Sequence, residues 1–583
     1  MKIRYELFVL CALIVSFDAY SDKTKRYFND NESVRYQKTP YQQATDVPDE
    51  QFDNRFDREP RLVVKKFNVK NLENSLPDKN SEQELEKIIE EDLKRNKNIY
   101  TVSRFNELTR TLTNFYRSKG LLLSRVYISP QAIKNQTVVL GYAAGQIEGI
   151  TVKNNRLYDE ETILKPFQKL IDQPVELTSL RTATTQLGQY PGLQTKTTFS
   201  PGEQPGSTVL NITTTEEERV GAVVSFDNYG SEYTGKYRFA ANGYINNITG
   251  NADQLKLGGF ATISPSNSLY GNLLYRLPLT LNLPEDDSWF SFLSPVLNKG
   301  LIFESGYTQN TYTIGEELEK LDISGESSVY FIGANTNLVL NERYQATAGL
   351  FLNSKTAKTV QNGDTLSEDK LTTLVIRTDW NARDSFWAGN PATSFASFEY
   401  HQGISDFLGA MGDNEPNSRT NGKGDFAPAG FSKYVINLNR IQSLDNNQLL
   451  VDMQYIYTPD MLTPIEQTPI GGPYAVRGYQ SGDYSADTAL IMKAEYFGYS
   501  SSTLSLPIDH LKAGVFLDYG IGWRNEALAN EESSAHLMAA GWFAEFVKDK
   551  KFNARVMMGI PLTEAEPGDD SSFQFYTTLQ RKF

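Results

Sequence analysis

The chain ends Phe573-Gln574-Phe575-Tyr576-Thr577-Thr578-Leu579-Gln580-Arg581-Lys582-Phe583. Counted back from the terminus, Phe583, Arg581, Leu579, Thr577, Phe575 and Phe573 share one face. Lys582, Gln580, Thr578, Tyr576 and Gln574 share the other. A period of two is that of a β-strand, whose side chains alternate between faces. The same pattern recurs upstream. In Lys236–Asn246, the residues Tyr237, Phe239, Ala241, Gly243 and Ile245 oppose Arg238, Asn242 and Tyr244; in Leu269–Leu279, a leucine-rich face opposes Asn272 and Arg276. From Arg219 onward about sixteen such runs can be placed, and no convincing helix. Most are long enough to cross an outer membrane as a tilted strand of roughly 9–11 residues. Tyrosines and phenylalanines cluster near run ends, as aromatic girdles require. The alternative is a two-sheet soluble β protein; strand length and even alternation weigh against it. Residues 218–583 therefore read as an all-β transmembrane barrel of about 16 antiparallel strands, with polar loops at Ser354–Asp369 and Ser405–Asp425.

Composition is compatible with this reading. The formal net charge is −14, which argues against a nucleic-acid partner. Mean hydropathy is −0.44, a value that barrels share with soluble proteins. Residues 1–21 have Lys2 and Arg4, an apolar run from Leu7 to Phe17, and Ala19-Tyr20-Ser21 before Asp22, the pattern of a secretory signal peptide. Cys11 is the one cysteine and falls inside that segment. The mature chain then has no disulfide, no thiolate metal site and no cysteine nucleophile. The three histidines, His401, His510 and His536, fall in no His-Glu-x-x-His motif, and Gly-x-Ser-x-Gly and Walker A sequences are absent. No catalytic residue, metal ligand set or cofactor is indicated, and the expectation is a protein that is not an enzyme.

Between signal and barrel, residues 22–60 form a polar extension with Pro40, Pro48 and Pro60. Residues 61–145 then read β-α-α-β-β: strand Arg61–Leu72, a helix Ser81–Arg95 with Ser81 and Glu84 as a capping box, a helix Thr101–Ser118 stopped by Gly120, and strands Leu121–Ile128 and Gln136–Tyr142. Residues 146–217 repeat the order: strand Gln146–Lys153, helices Tyr158–Ile171 and Leu177–Gln189, and a hairpin Leu193–Ser200/Ser207–Thr214. Two small α+β domains in series precede the barrel.

One connection inside the barrel is unusual. Between the runs Leu449–Thr458 and Ala489–Tyr499 lies a loop of about 459–488, far longer than a hairpin turn. It contains Gly471-Gly472-Pro473-Tyr474-Ala475-Val476-Arg477-Gly478-Tyr479, where turn formers surround one arginine.

Signal peptide, paired repeats, barrel and the Val476-Arg477-Gly478-Tyr479 loop together resemble the outer-membrane transporters of two-partner secretion (the TpsB family), within the superfamily of barrels preceded by POTRA domains. Asn228-Tyr229-Gly230 resembles that family's opening hairpin, and Phe516-Leu517-Asp518-Tyr519-Gly520 its Phe-x-Asp-x-Gly motif. The resemblance implies a lumenal loop anchored through Val476, Arg477, Gly478, Tyr479, Phe516, Asp518 and Gly520, with Arg477 paired to Asp518. It implies a plug helix within 22–60, periplasmic POTRA domains, and a terminal strand (Phe575, Leu579, Phe583) read by the barrel assembly machinery during insertion among outer-membrane lipid. The implied partner is a large exoprotein of TpsA type, such as a haemolysin, adhesin or contact-dependent inhibition toxin, exported without nucleotide hydrolysis (type V secretion). Val138–Tyr142 or Val209–Thr213 is a candidate strand edge for capturing it, and the sequence does not choose between them. Two other functions remain open on sequence: a barrel-assembly factor, and a surface receptor or adhesin barrel.

Overall fold

The computed structural model describes residues 61–69, 79–203, 207–263, 267–281, 283, 293–340, 343–387, 389–501, 509–529, 531–563 and 571–583. The expected signal peptide and plug helix lie outside the described residues. The chain divides into two compact units that meet in sequence between Glu218 and Arg219.

In the N-terminal unit, the first repeat packs helices Lys79–Arg95 and Val102–Ser118 on a three-stranded sheet. Leu85, Tyr100, Leu108, Leu112, Tyr116 and Leu140 form its buried core. The apolar positions recur at helical spacing, so each helix turns one stripe inward. Thr101 caps the second helix by accepting a bond from the Arg104 N–H at 3.4 Å, and Gly120, at φ +94°, follows its C-cap Lys119. Ser81 is not a cap. The helix already runs at Lys79, so Ser81 sits buried in its first turn.

The second repeat has the same order, with one difference from the expected continuous helix Tyr158–Ile171. An α-helix spans only Glu160–Leu164 and tightens into a 3₁₀-helix over Lys165–Leu170. Pro166 is the cause: it lacks the N–H for an α-helical bond and its ring crowds the preceding turn.

Both sheets place their last strand in the middle. The orders are Lys66–Val69, Thr137–Ala143, Arg125–Tyr127 and Gln146–Lys153, Ser207–Glu217, Leu193–Pro201. Val209–Thr213 is therefore interior with both main-chain edges paired, and Val138–Tyr142 lies between two strands, Val138–Leu140 paired with Phe67–Val69 and Gly141–Tyr142 with Val126–Tyr127; both correct the edge assignment made from sequence. The central strands carry alternating apolar residues that look like an edge in one dimension; only the parallel crossover reveals the second neighbour.

The C-terminal unit is a closed ring of sixteen described strands. They run antiparallel from Val220–Asp227 to Gln574–Lys582, which pair and close the ring. Leu269, Tyr330, Leu350, Ile376, Trp380 and Val515 face outward at 46–61% exposure. Lys355, Glu399, Lys433, Glu495 and Asp518 are buried on the inner side. Apolar residues outside and ionisable ones inside is the inverse of a soluble fold and suits a lipid-embedded wall. Phe575, Leu579 and Phe583 are exposed, and the Tyr576 between the first two is buried.

The segment Ser354–Asp369 is not a loop. Strands Tyr344–Gln361 and Asp364–Asp384 run straight through it and turn at Asn362-Gly363, both at positive φ. Asn-Gly is the preferred pair for such a two-residue turn; the polar residues that suggested a loop belong to strands extended beyond the apolar band. Ser405–Asp425 does lie in a long connection, 404–431. Short helical pieces at Ser294–Leu297 and Glu316–Leu321 occur in barrel connections where none was expected, too short to show a helical period.

Candidate functional site in the barrel lumen

The eleventh strand, Asn447–Tyr457, and the twelfth, Thr488–Ser501, are joined by the 458–487 loop. It is the sixth connection at the rim opposite the start of the first strand. Ile470, Val476, Tyr479 and Ala486 in it are fully buried. The turn chemistry shapes it. The Val476 N–H donates to Ile470 O at 3.1 Å, the Gly472 N–H to Val476 O at 3.2 Å and the Ala475 N–H to Gly472 O at 3.1 Å. Gly472 supplies φ +106°, which an L side chain rarely adopts.

This turn aims Arg477 at the wall. Its Nε donates to Asp518 Oδ2 and its Nη2 to Asp518 Oδ1, both at 2.7 Å, a bidentate fork. Its backbone N–H adds a third bond to Asp518 at 3.1 Å. The guanidinium carbon lies 3.6 Å from the Phe516 ring centroid. Asp518 and Phe516 face inward on the thirteenth strand, His510–Trp523, where Leu517 between them points out. Gly520, next on the inner face, leaves room: a Cβ there would stand 2.8 Å from Val476 Cγ2. A Cβ on Gly478 would meet Ala539 Cβ at 2.8 Å and the Pro561 backbone at 2.9 Å. The Tyr479 hydroxyl bonds Thr563 Oγ1 at 2.6 Å, and its carbonyl accepts from Tyr576 OH at 2.9 Å.

Two participants were not read from the sequence. Glu495 on the twelfth strand takes a short bond from Arg477 Nη1 and a second from Arg555 Nη2 at 3.1 Å. Two guanidiniums thus face two carboxylates, so the buried cluster is balanced. Glu495 was one inward carboxylate among many; a signal exists only in its register opposite Phe516, which the linear sequence does not give.

The same loop has a second attachment. Glu466 forms an ion pair with Lys355 Nζ at 2.9 Å and accepts a short bond from Lys433 Nζ. Lys355 is on the seventh strand, Tyr344–Gln361, and Lys433 on the tenth, Ser432–Leu444. Burial by itself would push the Glu466 carboxyl up, but the two ammonium groups outweigh it and hold it below the ordinary carboxylate range. Arg477 also reaches Met557 Sδ, 4.0 Å away on the fifteenth strand. In a ring of sixteen, strands seven and fifteen are diametrically opposed. The loop therefore crosses the lumen.

Asn228, Tyr229 and Gly230 sit where the first strand ends. Asn228 continues the seam between first and last strands with its side chain, donating to Phe575 O at 2.7 Å and accepting from the Thr577 N–H at 2.7 Å. The Tyr229 ring packs edge-on against Tyr474 of the loop at 5.5 Å and Tyr576 of the last strand at 5.6 Å. Gly230 has no space for a Cβ, which would lie 2.0 Å from Gly235 O.

Comparison with known proteins agrees with this architecture. The chain is similar to the heme/hemopexin transporter protein HuxB of Haemophilus influenzae (strain 86-028NP), 23% identical over 501 residues that cover 83% of this chain and 81% of that protein. It is 22% identical over 453 residues to the outer membrane transporter CdiB of Escherichia coli, covering 75% and 70%. The solved structure of CdiB from Escherichia coli superposes with a TM-score of 0.72 at 17% identity over 97% of this chain and 98% of that one; CdiB from Acinetobacter baumannii gives 0.65 at 16% identity over 98% and 99%. Residues 65–141 match the ShlB-type POTRA domain. Residues 206–545 match the haemolysin secretion/activation protein family ShlB/FhaC/HecB, and the chain belongs to that family, the outer-membrane transporters of two-partner secretion.

Proposed function

We propose that this transporter exports one large exoprotein through the barrel and that the lumen-crossing loop, locked at Arg477 and Asp518, sets the path. The barrel lies in the outer membrane and the POTRA repeats in the periplasm. The cargo meets the repeats first. Of the described sheet edges, Leu193–Pro201 is the longest, at nine residues. Its competitor Gln146–Lys153 is partly covered by bridges to Ile171 and Pro174. An extended cargo segment pairs along Leu193–Pro201 through main-chain hydrogen bonds, which demand little of its sequence. It then passes the lumen, where inward lysines, arginines and carboxylates keep the wall wet and unsuited to a folded apolar surface. The exposed Phe575, Leu579 and Phe583 are the face the assembly machinery reads during insertion and the lipid covers afterwards. Folding of the cargo outside supplies direction; the chain performs no chemistry.

The observation that carries this reading is a sixteen-strand barrel with a loop bound across its interior. Comparing cell-surface and medium proteins between a deletion strain and its complemented parent tests it. One large exoprotein is expected to vanish while other barrels stay constant. Depletion of many barrels would point to an assembly factor, and no change in either to a receptor or adhesin.

A further inference from the structure

We propose that the 404–431 connection is a strap over the lumen-crossing loop, that it must release before that loop can move, and that Arg419 is its positioning residue. The proposal rests on the secretion reading and adds a second closure to it.

Surface connections of this length ordinarily leave a long cationic side chain in water. Arg419 is instead 1% exposed and heads the fully buried side chains by size among the described residues. Its Nη1 donates to Leu462 O at 2.7 Å and Asp487 Oδ1 at 2.5 Å, and its Nη2 to Asn525 O at 2.9 Å. Leu462 and Asp487 are the two ends of the sixth-rim loop; Asn525 belongs to the next connection. Asp487 also accepts from the Leu462 N–H at 3.2 Å, Gln467 Nε2 at 3.0 Å and the Asn525 N–H at 2.7 Å. One guanidinium–carboxylate pair thus gathers three connections at one rim.

The adjacent residue pulls the other way. Ser418 donates from its N–H at 2.9 Å and its hydroxyl at 2.6 Å to Asp369 on the eighth strand. Met411, Ala429 and Phe431 of the strap pack with Leu462 and Ile465 of the loop. Fastened to the wall through Asp369 and to the loop's ends through Asp487, the strap holds the loop down. Neither attachment uses the Arg477–Asp518 pair, so this closure is separable from the lock.

The test uses the full chain in planar bilayers with potassium chloride as the permeant. Residues 12–583 contain no native cysteine to compete with an engineered pair. In Asp369→Cys/Ser418→Cys, oxidation is expected to abolish openings and reductant to restore them; current unchanged in the oxidised protein, with the disulfide shown by gel mobility, overturns the proposal. Arg419→Ala is expected to open roughly tenfold more often, since the buried Asp487 loses its cation. The exchange Arg419→Asp/Asp487→Arg should return the channel toward quiet, which a generally loosened barrel would not do. Openings in Arg419→Ala at the wild-type frequency also overturn it. The secretion reading is judged apart, by whether reduced Asp369→Cys/Ser418→Cys cells release the same exoprotein as wild type.

Discussion

Arg477 and Glu466 belong to one loop and are held by different arcs of the barrel wall. Arg477 is clasped by Asp518 and Glu495 on strands thirteen and twelve, and Glu466 by Lys355 and Lys433 on strands seven and ten. The near attachment is drier: the Arg477 and Asp518 side chains are 3% and 0% exposed, while both lysines of the far attachment are 10% exposed. A planar fork on two carboxylates is also harder to replace with water than an ammonium on one.

Arg477→Ala removes the one cation that serves both Asp518 and Glu495. Breaking a buried pair this way costs about 3–5 kcal/mol, less where water enters. Exoprotein release should fall sharply while the barrel still inserts and keeps its heat-modifiable mobility on gels. Arg477→Lys should recover only part of the release, because one ammonium cannot span Asp518 bidentately. Normal release by the alanine variant would remove the lock from the mechanism.

Gly559→Ala tests the same lock without touching a charge. Its new Cβ would lie 2.2 Å from Arg477 O, a backbone atom that cannot rotate away. The loop must lift from the wall, so the variant should resemble Arg477→Ala in release and gain protease sensitivity within 459–487. Limited proteolysis on intact cells gives the readout.

Acid should leave the far attachment in place over the mild range. The Glu466 carboxyl is held below its ordinary value when docked. A depressed group stabilises the docked state fully above its undocked pKa, about 4.3, and loses that stabilisation only as pH falls through the lower docked value. Protease sensitivity within 459–487 should therefore be alike at pH 7 and pH 5. Glu466→Gln, which discards the charge, should be cut more readily at both.

Asn228→Ala should weaken the barrel seam. First and last strands pair directly from Thr578↔Asp227 to Lys582↔Val223, shorter than the other described neighbour pairings in the ring. The Asn228 amide adds two bonds beyond that run. Their loss is worth roughly 1–3 kcal/mol, and should lower the temperature at which the folded gel band converts to the unfolded one. Unchanged conversion would show that the seam does not depend on Asn228.

The sequence by itself determined the classes of element and their order. Alternation over Phe573–Phe583 and its fellows is a local signal, because side-chain direction in a strand is set by the backbone residue by residue. The same holds for the helical stripes of Leu85–Leu93 and Phe105–Phe115. Arg477 stood out among the turn formers of its loop, and its pairing with Asp518 came from the resemblance of two short motifs to those of a known family. Tertiary structure alone decided the rest. Glu495, Arg555, Glu466, Lys355 and Arg419 carry no motif; they matter through register and through how a long connection falls, and those depend on barrel closure. Ser354–Asp369 misled for a related reason: polarity marks contact with water, and a strand that outruns the apolar band is as wet as a loop. Val138–Tyr142 and Val209–Thr213 misled because an edge is a property of a sheet, and the strand that covers it lies many residues away in the chain.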